Sequence, residues 1–171
     1  MMEYVSTRDK SRKVSAAYAI ANGIAPDGGL YCPTSFPTLA AEDWHALANM
    51  DYKGRSALVL GKFLTDFSAE ELAGYAAKAY ADDKFGGKDT APVVPLADGK
   101  HMLELWHGPT CAFKDMALQM LPHLLTASLR KTGETRTMWK VQRSWCIIRW
   151  TVFLRCRSCK WSRRREKMLR L

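Results

Sequence analysis

The sequence predicts an α/β protein in which a mainly helical first part precedes a hairpin, a turn and a longer helix. Segments with helical character begin at residues 14, 41, 53 and 68. Two short alternating runs then meet at Asp98-Gly99, a dipeptide that favours a tight hairpin turn. The composition changes abruptly after residue 137. These observations divide the chain into segments 1–80, 81–137 and 138–171.

The helical first part has recognisable starts and stops. The run VSAAYAIAN ends at Gly23, which predicts a helix over residues 14–22. Residues 41–49 and 53–64 predict two further short helices. Ser68 and Glu71 have the spacing of a capping box, so the sequence predicts a helix that begins directly after Ser68.

The second part begins with DDKFGGKDTAP, residues 82–92, whose two glycines and proline are typical of a linker. Two strands follow on either side of Asp98-Gly99, and HGPT then turns the chain. Residues 112–132 predict one helix that ends before Gly133. Pro122 lies inside this helix and predicts a kink.

Lys114 is the residue of chemical interest, because it follows the turn and lies in the first turn of the predicted helix. The positive end of the helix dipole, together with burial by Phe113 and Ala112, would lower the pKa of its ammonium group. A lysine with a lowered pKa forms imines readily. On spacing alone, however, an ordinary surface lysine is the better interpretation of Lys114.

Three motifs change that interpretation. The segment HGPTCAFKDMALQ at residues 107–119, the opening YVSTR at residues 4–8 and the loop GIAPDGGLY at residues 23–31 occur in this order. Together they closely resemble the motifs of threonine synthase, a pyridoxal-phosphate enzyme of the tryptophan-synthase-β-like fold type II. The resemblance implies a helical N-terminal domain over residues 1–80, followed over residues 81–137 by the start of the catalytic domain.

The resemblance also implies the roles of individual residues. Lys114 is expected to hold pyridoxal 5'-phosphate as an internal imine, and Phe113 and Asp115 to shape the cofactor site. Thr110 is expected at the substrate end, where O-phosphohomoserine reacts with water to give threonine and phosphate. Cys111 is expected to be a small core residue, and no metal ligands are expected.

One part of the family pattern is missing from the printed sequence. Threonine synthases carry a T-S-G-D-T-G motif shortly after the lysine helix, where backbone N–H groups face the cofactor phosphate. Here Gly133 is followed by ETRT, and no such motif occurs. We therefore expect the 171-residue chain to behave as a truncated fragment and to be inactive by itself.

The last segment differs sharply from the rest. Residues 1–137 hold 15 Lys and Arg against 16 Asp and Glu, whereas residues 138–171 hold 11 against one. An Arg-rich stretch with interspersed tryptophans is consistent with a non-catalytic protein that binds nucleic acid. Cys156 and Cys159 form a C-x-x-C pair, but a tetrahedral zinc site needs four ligands, and no histidine follows.

The genetic code supplies another interpretation of this segment. Permitted codons for residues 145–169 can be chosen so that the neighbouring frame, entered at the third base of the Trp145 codon, reads VHYPVDGVSEVQKLQMVTQEGENV. That peptide resembles the family's own segment just downstream of the phosphate loop. The hypothesis is that residues 138–171 are family coding sequence read out of frame, with the junction between about residues 134 and 140.

The remaining expectations concern environment and partners. No apolar run approaches the length of a membrane span, and the polar start shows no secretory signal. Five cysteines, an odd number with irregular spacing, argue against a disulfide framework and for a reducing cytoplasm. The expected partner is therefore a small-molecule substrate, with no membrane and no specific nucleic acid. The sequence sets no oligomeric state.

Overall fold

The computed structural model describes residues 1–87 and 89–135 with their side chains, and the backbone of residues 137–141, 144–148 and 169–170. Its elements, in chain order, are β1 (Tyr4–Ser6), α1 (Ala16–Asn22), β2 (Tyr31–Pro33), α2 (Ala41–Asn49), α3 (Tyr52–Phe63), α4 (Ala69–Ala79), β3 (Val93–Pro95), β4 (His101–Leu103), α5 (Asp115–Leu118), α6 (Leu121–Thr132), β5 (Thr137–Val141), β6 (Ser144–Ile148) and β7 (Leu169–Arg170). The predicted mixed α/β class is confirmed.

The helices begin where the sequence places capping side chains. The Ser15 hydroxyl and the Asp51 carboxylate each accept a hydrogen bond from a backbone N–H of the following first turn. The capping box at α4 is confirmed. The Ser68 hydroxyl accepts from the Glu71 N–H at 3.1 Å, and the Glu71 carboxylate accepts from the Ser68 N–H at 2.9 Å.

Two helices end at the predicted glycines. Gly23, at φ 70°, follows α1 and donates its N–H to the Ala19 carbonyl. Gly133, at φ 67° and ψ 21°, follows α6 in the left-handed conformation that ends many helices. Both stop signals therefore act as the sequence predicts.

The core forms where α1 and α4 meet α6. Small residues on α1, among them Ala16, Ala17 and Ala21, are almost fully buried and allow the backbone of α6 to approach closely. Leu125 on α6 has no exposed surface and packs against α1. The lysine helix region is thus supported by the N-terminal helices.

The buried face of α4 supplies the centre of the same core. Leu72, Ala76 and Ala79 recur at helical spacing and are fully buried. Phe85 lies only 1 % exposed against this face, inside the segment that the sequence predicts to be a linker. A single aromatic residue among glycines, lysines and aspartates gives no periodic signal, so its burial could not be predicted from pattern.

The predicted hairpin is confirmed. β3 and β4 pair antiparallel, with Val93 opposite Leu103 and Val94 opposite Met102. Asp98 has φ 60° and ψ 33°. This left-handed conformation is tolerated by aspartate and is the reason that Asp-Gly favours such turns.

The single helix predicted over residues 112–132 is wrong. The chain forms the short helix α5, a break at Gln119 and Met120, and then α6. Pro122 lies in the first turn of α6, where its missing N–H costs no helical hydrogen bond. The proline therefore marks the start of a second helix rather than a kink within one.

The last segment contains backbone structure that the sequence does not predict. β5 pairs antiparallel with β6, from Thr137 opposite Ile148 to Val141 opposite Ser144, and β7 pairs with the other side of β5. The residue types in these runs, including tryptophan, valine and isoleucine, favour strands whatever their origin. The C-x-x-C pair Cys156 and Cys159, for which the sequence argues against a zinc site, and the Arg-rich stretch 155–167 lie outside the described residues.

None of the helices in the part of the chain that the structure describes is both long and apolar enough to cross a membrane. Within the same residues, no cluster of three or more histidine, cysteine, aspartate or glutamate side chains could hold a metal ion.

Candidate functional site at the loop before α5

Lys114 occupies the junction between the loop that leaves β4 and the short helix α5. Its backbone adopts φ −62° and ψ −22°, and its carbonyl accepts hydrogen bonds from the N–H groups of Ala117 and Leu118. The helix therefore begins one residue after Lys114. The side chain is exposed, and among the described residues its ammonium group has no hydrogen-bond or ion-pair partner.

Asp115, the next residue, is fully buried and organises the loop. Its Oδ2 accepts a hydrogen bond from the Thr110 N–H at 2.7 Å. Its Oδ1 accepts a second from the Thr110 hydroxyl at 2.8 Å. Two hydrogen bonds to one carboxylate compensate the desolvation of a buried charge.

Gly108 lies directly against this carboxylate. A Cβ at position 108 would stand 2.4 Å from the Asp115 Cβ and 2.6 Å from its Oδ2. No side chain fits into that space, so glycine is required for the close approach. The family motif H-G-P-T thus has a physical reason for its glycine in this chain.

A histidine and a glutamate form a second polar pair at the start of the loop. The His107 Nε2 lies 2.6 Å from the Glu104 Oε2. Both side chains are partly buried, and the Trp106 ring stacks beside the imidazole with centroids 5.8 Å apart. Glu104 was not among the predicted site residues, although its position three residues before His107 was the available signal.

Two expectations for this loop are wrong. Phe113 is 66 % exposed, so it does not bury the neighbouring Lys114 as the sequence suggests. Cys111 is exposed rather than part of the core, and its backbone has φ 57°. Both outcomes follow from the late start of α5, because residues 110–113 form a turn on the surface instead of a first helical turn.

Tyr80 links the lysine helix to the N-terminal helices, a contact that the sequence analysis missed. Its hydroxyl donates a hydrogen bond to the Met116 carbonyl of α5 at 2.8 Å. The ring packs edge-on against Tyr52, with centroids 4.9 Å apart. Burial, and to a smaller extent the neighbouring Tyr52 phenol, raises the pKa of Tyr80 to about 12.

An apolar groove of about 520 Å³ lies beside this link. It is lined by residues of α3, by Tyr80 and by α5 and α6, including Val59, Met120 and Leu124. Lys114 is not part of its lining. The groove is therefore a feature of helix packing, separate from the lysine.

The two N-terminal motifs meet in a second polar cluster. β1 and β2 pair antiparallel, which brings the Ser6 hydroxyl within 2.8 Å of the Asp27 Oδ1. The same oxygen accepts the Gly29 N–H at 2.8 Å, and Arg8 donates to the Asp27 carbonyl. Hydrogen bonds from Gly29 and Ser6 hold the pKa of Asp27 below its usual value.

This second cluster explains the spacing of both motifs by local geometry. A Cβ at Gly29 would stand 2.1 Å from the Ser6 hydroxyl oxygen. Asp27 is thus the side chain that fixes the turn, and Gly29 is the residue that permits strand β2 to pass it. The cluster lies in the N-terminal part, and none of the described contacts joins it to Lys114.

Comparisons with known proteins agree with this architecture. Residues 3–80 match the family model described as the threonine synthase N terminus. The threonine synthase of Corynebacterium glutamicum is 40 % identical over 139 residues, covering 78 % of this chain and 29 % of the relative. That of Methylobacillus glycogenes is 36 % identical over 141 residues, covering 78 % and 30 %.

Solved structures give the same result. A pyridoxal-phosphate-bound threonine synthase from Brucella melitensis superposes with a TM-score of 0.71 at 35 % identity, covering 78 % of this chain and 29 % of that one. The yeast threonine synthase gives a TM-score of 0.67 at 29 % identity. The chain spans just under a third of the length of the Corynebacterium glutamicum and Methylobacillus glycogenes relatives.

The fold and the lysine loop thus resemble the first part of threonine synthase structures, one of which was solved with pyridoxal phosphate bound. The helical part, the hairpin and the lysine helix together correspond to the beginning of such an enzyme. The resemblance to threonine synthases that the motifs predict is therefore confirmed over about four fifths of the chain.

Proposed function

We propose that this chain carries the N-terminal part of a threonine synthase and that Lys114 is its cofactor lysine. The reaction is the conversion of O-phospho-L-homoserine and water into L-threonine and phosphate, with pyridoxal 5'-phosphate as cofactor. One observation carries the proposal. The free, exposed amine of Lys114 stands at the end of a loop fixed by Asp115, in a chain related to threonine synthases.

The residues present fit one end of the cofactor. An exposed primary amine without a partner among the described residues suits covalent attachment to an aldehyde. The phosphate end has no corresponding cradle in the printed sequence, because ETRT follows Gly133 where relatives are expected to have a glycine-rich loop. When bound, the cofactor supplies an electron sink for carbanion chemistry.

Lys114 has two tasks in this proposal. Its Nζ would hold the cofactor covalently, and as a free amine it would take up and return protons beside the substrate. Both tasks suit a backbone held by hydrogen bonds and an exposed side chain without a competing partner, and among the described residues Lys114 has both. Phe113, exposed beside it, stays a predicted cofactor contact.

Trapping experiments test the assignment of Lys114. We expect pyridoxal phosphate, after reduction with borohydride, to remain on Lys114 in preference to the other lysines when peptides are mapped by mass spectrometry. Lys114→Ala should remove this label, and Lys100→Ala, a substitution in the exposed hairpin turn, should leave it unchanged. Equal labelling of Lys114 and Lys100 would contradict the proposal.

The proposal includes the inactivity of the 171-residue chain by itself. The missing phosphate motif and the share of the relatives covered both support this expectation. Phosphate release from O-phosphohomoserine should therefore stay at background with the purified chain. Turnover that depends on Lys114 would overturn this part of the proposal while supporting the role of the lysine.

The out-of-frame origin of residues 138–171 belongs to the same proposal. The composition of this segment and the shifted peptide support it, and the comparisons give no support to the alternative of a nucleic-acid-binding function. Sequencing of the gene and its transcript across codons 130–171 tests it. Bases that exclude VHYPVDGVSEVQKLQM in the neighbouring frame would reject the hypothesis and reopen the question of binding.

The division into residues 1–80, 81–137 and 138–171, and a location in the cytoplasm, also remain parts of this proposal. The match of the family model to residues 3–80 supports the first boundary. The proposed substrate, a small phosphorylated amino acid, supports the cytoplasmic location, because amino acids are made there.

A further inference from the structure

We propose that Thr110 and Asp115 are positioning residues, which hold the backbone of Lys114 and do not themselves contact cofactor or substrate. The inference rests on the proposed function of Lys114. It assigns Thr110 and Asp115 differently from the family resemblance, which suggested a substrate contact for Thr110 and a cofactor contact for Asp115.

The carboxylate of Asp115 is already occupied. Its two oxygens each accept a hydrogen bond from Thr110, one from the backbone and one from the hydroxyl. The whole residue has no exposed surface, and the backbone of Gly108 lies against its Cβ and Oδ2. A ligand would have to displace this backbone to reach the carboxylate.

The hydroxyl of Thr110 is committed in the same way. Its proton is donated to Asp115, so it is not available to donate to a substrate without breaking that hydrogen bond. Removing one partner of this pair would leave a buried carboxylate oxygen without its hydrogen bond, which is more costly than the loss of an exposed pair.

The hydrogen-bonded pair Thr110 and Asp115 fixes the loop on one side of Lys114, and α5 fixes the backbone on the other side. Thr110 and Asp115 are five residues apart, and Cys111, at φ 57°, turns the chain between them. On the helix side, the Lys114 carbonyl accepts two N–H groups of α5. Residues on both sides of the lysine are thereby held by hydrogen bonds, and its exposed side chain has no partner among the described residues.

A loop fixed in this way reduces the conformational entropy that is lost when Lys114 captures a ligand. A loop that is ordered in advance leaves only the rotamers of one side chain to be restrained. Because the pair acts through the backbone, its disruption should loosen residues 106–113 whether or not any cofactor is present. That effect separates a positioning role from a contact role.

The experiment uses the full 171-residue chain and three variants. Thr110→Val removes the hydroxyl donor, Thr110→Ser retains it, and Thr126→Val removes a comparable threonine hydrogen bond, to the Pro122 carbonyl at 2.7 Å in α6. Amide hydrogen exchange of residues 106–113 is measured without cofactor, and capture of pyridoxal phosphate by Lys114 is measured by borohydride trapping. Thermal unfolding checks that each variant folds.

We expect Thr110→Val to accelerate exchange in residues 106–113 by at least about fivefold and to slow capture by Lys114. Thr110→Ser should behave like the wild-type chain, and Thr126→Val should leave this loop unchanged. Wild-type exchange in Thr110→Val together with weaker capture would overturn the proposal, because it would indicate direct contact.

The same experiment distinguishes a failure of the proposed function from a failure of the positioning role. One outcome is that neither the wild-type chain nor any variant captures pyridoxal phosphate on Lys114, while Thr110→Val still accelerates amide exchange in residues 106–113. That outcome supports the positioning role of the pair and rejects the cofactor assignment. Should Thr110→Val unfold the chain, Asp115→Asn provides the second variant. Its amide lacks the charge, and unchanged loop exchange in that variant would also overturn the proposal.

Discussion

The N-terminal helices and the β3–β4 hairpin differ in how far they bury their apolar side chains. In the helices, residues such as Leu72 and Ala76 are fully buried. In the hairpin, Val93 is 60 % exposed and Leu103 52 % exposed. The helices bury their apolar side chains in a core that they share with α6, whereas the hairpin presents apolar side chains that no contact among the described residues covers.

The register of the hairpin shows how far this exposure extends. The pairs Val93–Leu103 and Val94–Met102 are adjacent, and successive residues of a strand point to opposite faces. Both faces of the hairpin therefore carry apolar pairs, a pattern typical of strands that are covered on two sides in α/β proteins.

The largest expected effect tests this contrast with one kind of substitution at two places. Leu72→Ala removes a fully buried side chain and should lower the free energy of unfolding by about 2–5 kcal/mol. Leu103→Ala should change it by less than about 0.5 kcal/mol, because half of that side chain is already in water. Urea unfolding measures both. Equal losses would show that the hairpin is as well packed as the helices.

The second prediction compares two glycines, one in the lysine loop and one in the helical part. Gly108→Ala would place a Cβ 2.4 Å from the Asp115 Cβ, so it should destabilise the chain by about 1–3 kcal/mol. Gly74→Ala lies within α4 with nothing within 4 Å of the added carbon, and it should stabilise by about 0.5–1 kcal/mol. Thermal unfolding of both variants is the measurement.

An alanine at position 108 that leaves both stability and loop exchange unchanged would contradict the close approach described here. A loss of stability at Gly74 would indicate that the exposed face of α4 is restricted in a way that the described residues do not show.

The same contrast shows why sequence predicted some elements and not others. Caps, stops and the hairpin turn depend on residues close in sequence, and Ser68, Gly23, Gly133 and Asp98 act as their local chemistry requires. Phe85 is buried because α4 and α6 converge around it, which no local pattern announces. The break between α5 and α6 was hidden because helical periodicity continues through Met120.

The candidate site shows the same division. The motif resemblance selected Lys114, Thr110 and Asp115, and the structure brings the last two into direct contact. The resemblance could not reveal that the side chains of Thr110 and Asp115 form a hydrogen bond with each other, because the start of α5 decides which way the loop turns. Nor could it reveal Tyr80, which reaches the lysine helix across 36 positions of sequence.

The third prediction concerns Tyr80, the residue that joins the two regions. Tyr80→Phe removes the hydrogen bond to the Met116 carbonyl and should lower the free energy of unfolding by about 1 kcal/mol. Since the folded-state pKa of Tyr80 is about 12, above its ordinary value of 10.0, the stability it contributes is lost as pH rises through that interval. The phenylalanine variant should lose less stability at alkaline pH than the wild-type chain does.

Urea unfolding at neutral and alkaline pH measures both effects, and Tyr18→Phe, at a tyrosine on the half-buried face of α1, serves as the control. Faster amide exchange in α5 of the Tyr80 variant would show that the N-terminal helices stabilise the lysine helix. An unchanged pH dependence would mean that other tyrosines dominate the alkaline loss.

The smallest expected effect is acid sensitivity from His123 in α6. Burial, with Lys84 and Lys78 nearby, lowers the pKa of His123 below 6.5, and its ring stacks on Tyr75 with centroids 6.0 Å apart. The unfolded chain then binds a proton before the folded chain does. The part of the stability that depends on neutral His123 is therefore fully present above pH 6.5 and is lost as pH drops below that value.

His123→Phe keeps an aromatic ring against Tyr75 and removes the titrating group, so its free energy of unfolding should depend less on pH below 6.5. The exposed His45 gives the matched control, because His45→Phe removes a histidine that packs against no core residue. Urea midpoints on both sides of pH 6.5 measure the difference between the two variants. If His45→Phe flattens the pH dependence as much as His123→Phe does, the acid sensitivity comes from charge in general and not from the packed face of α6.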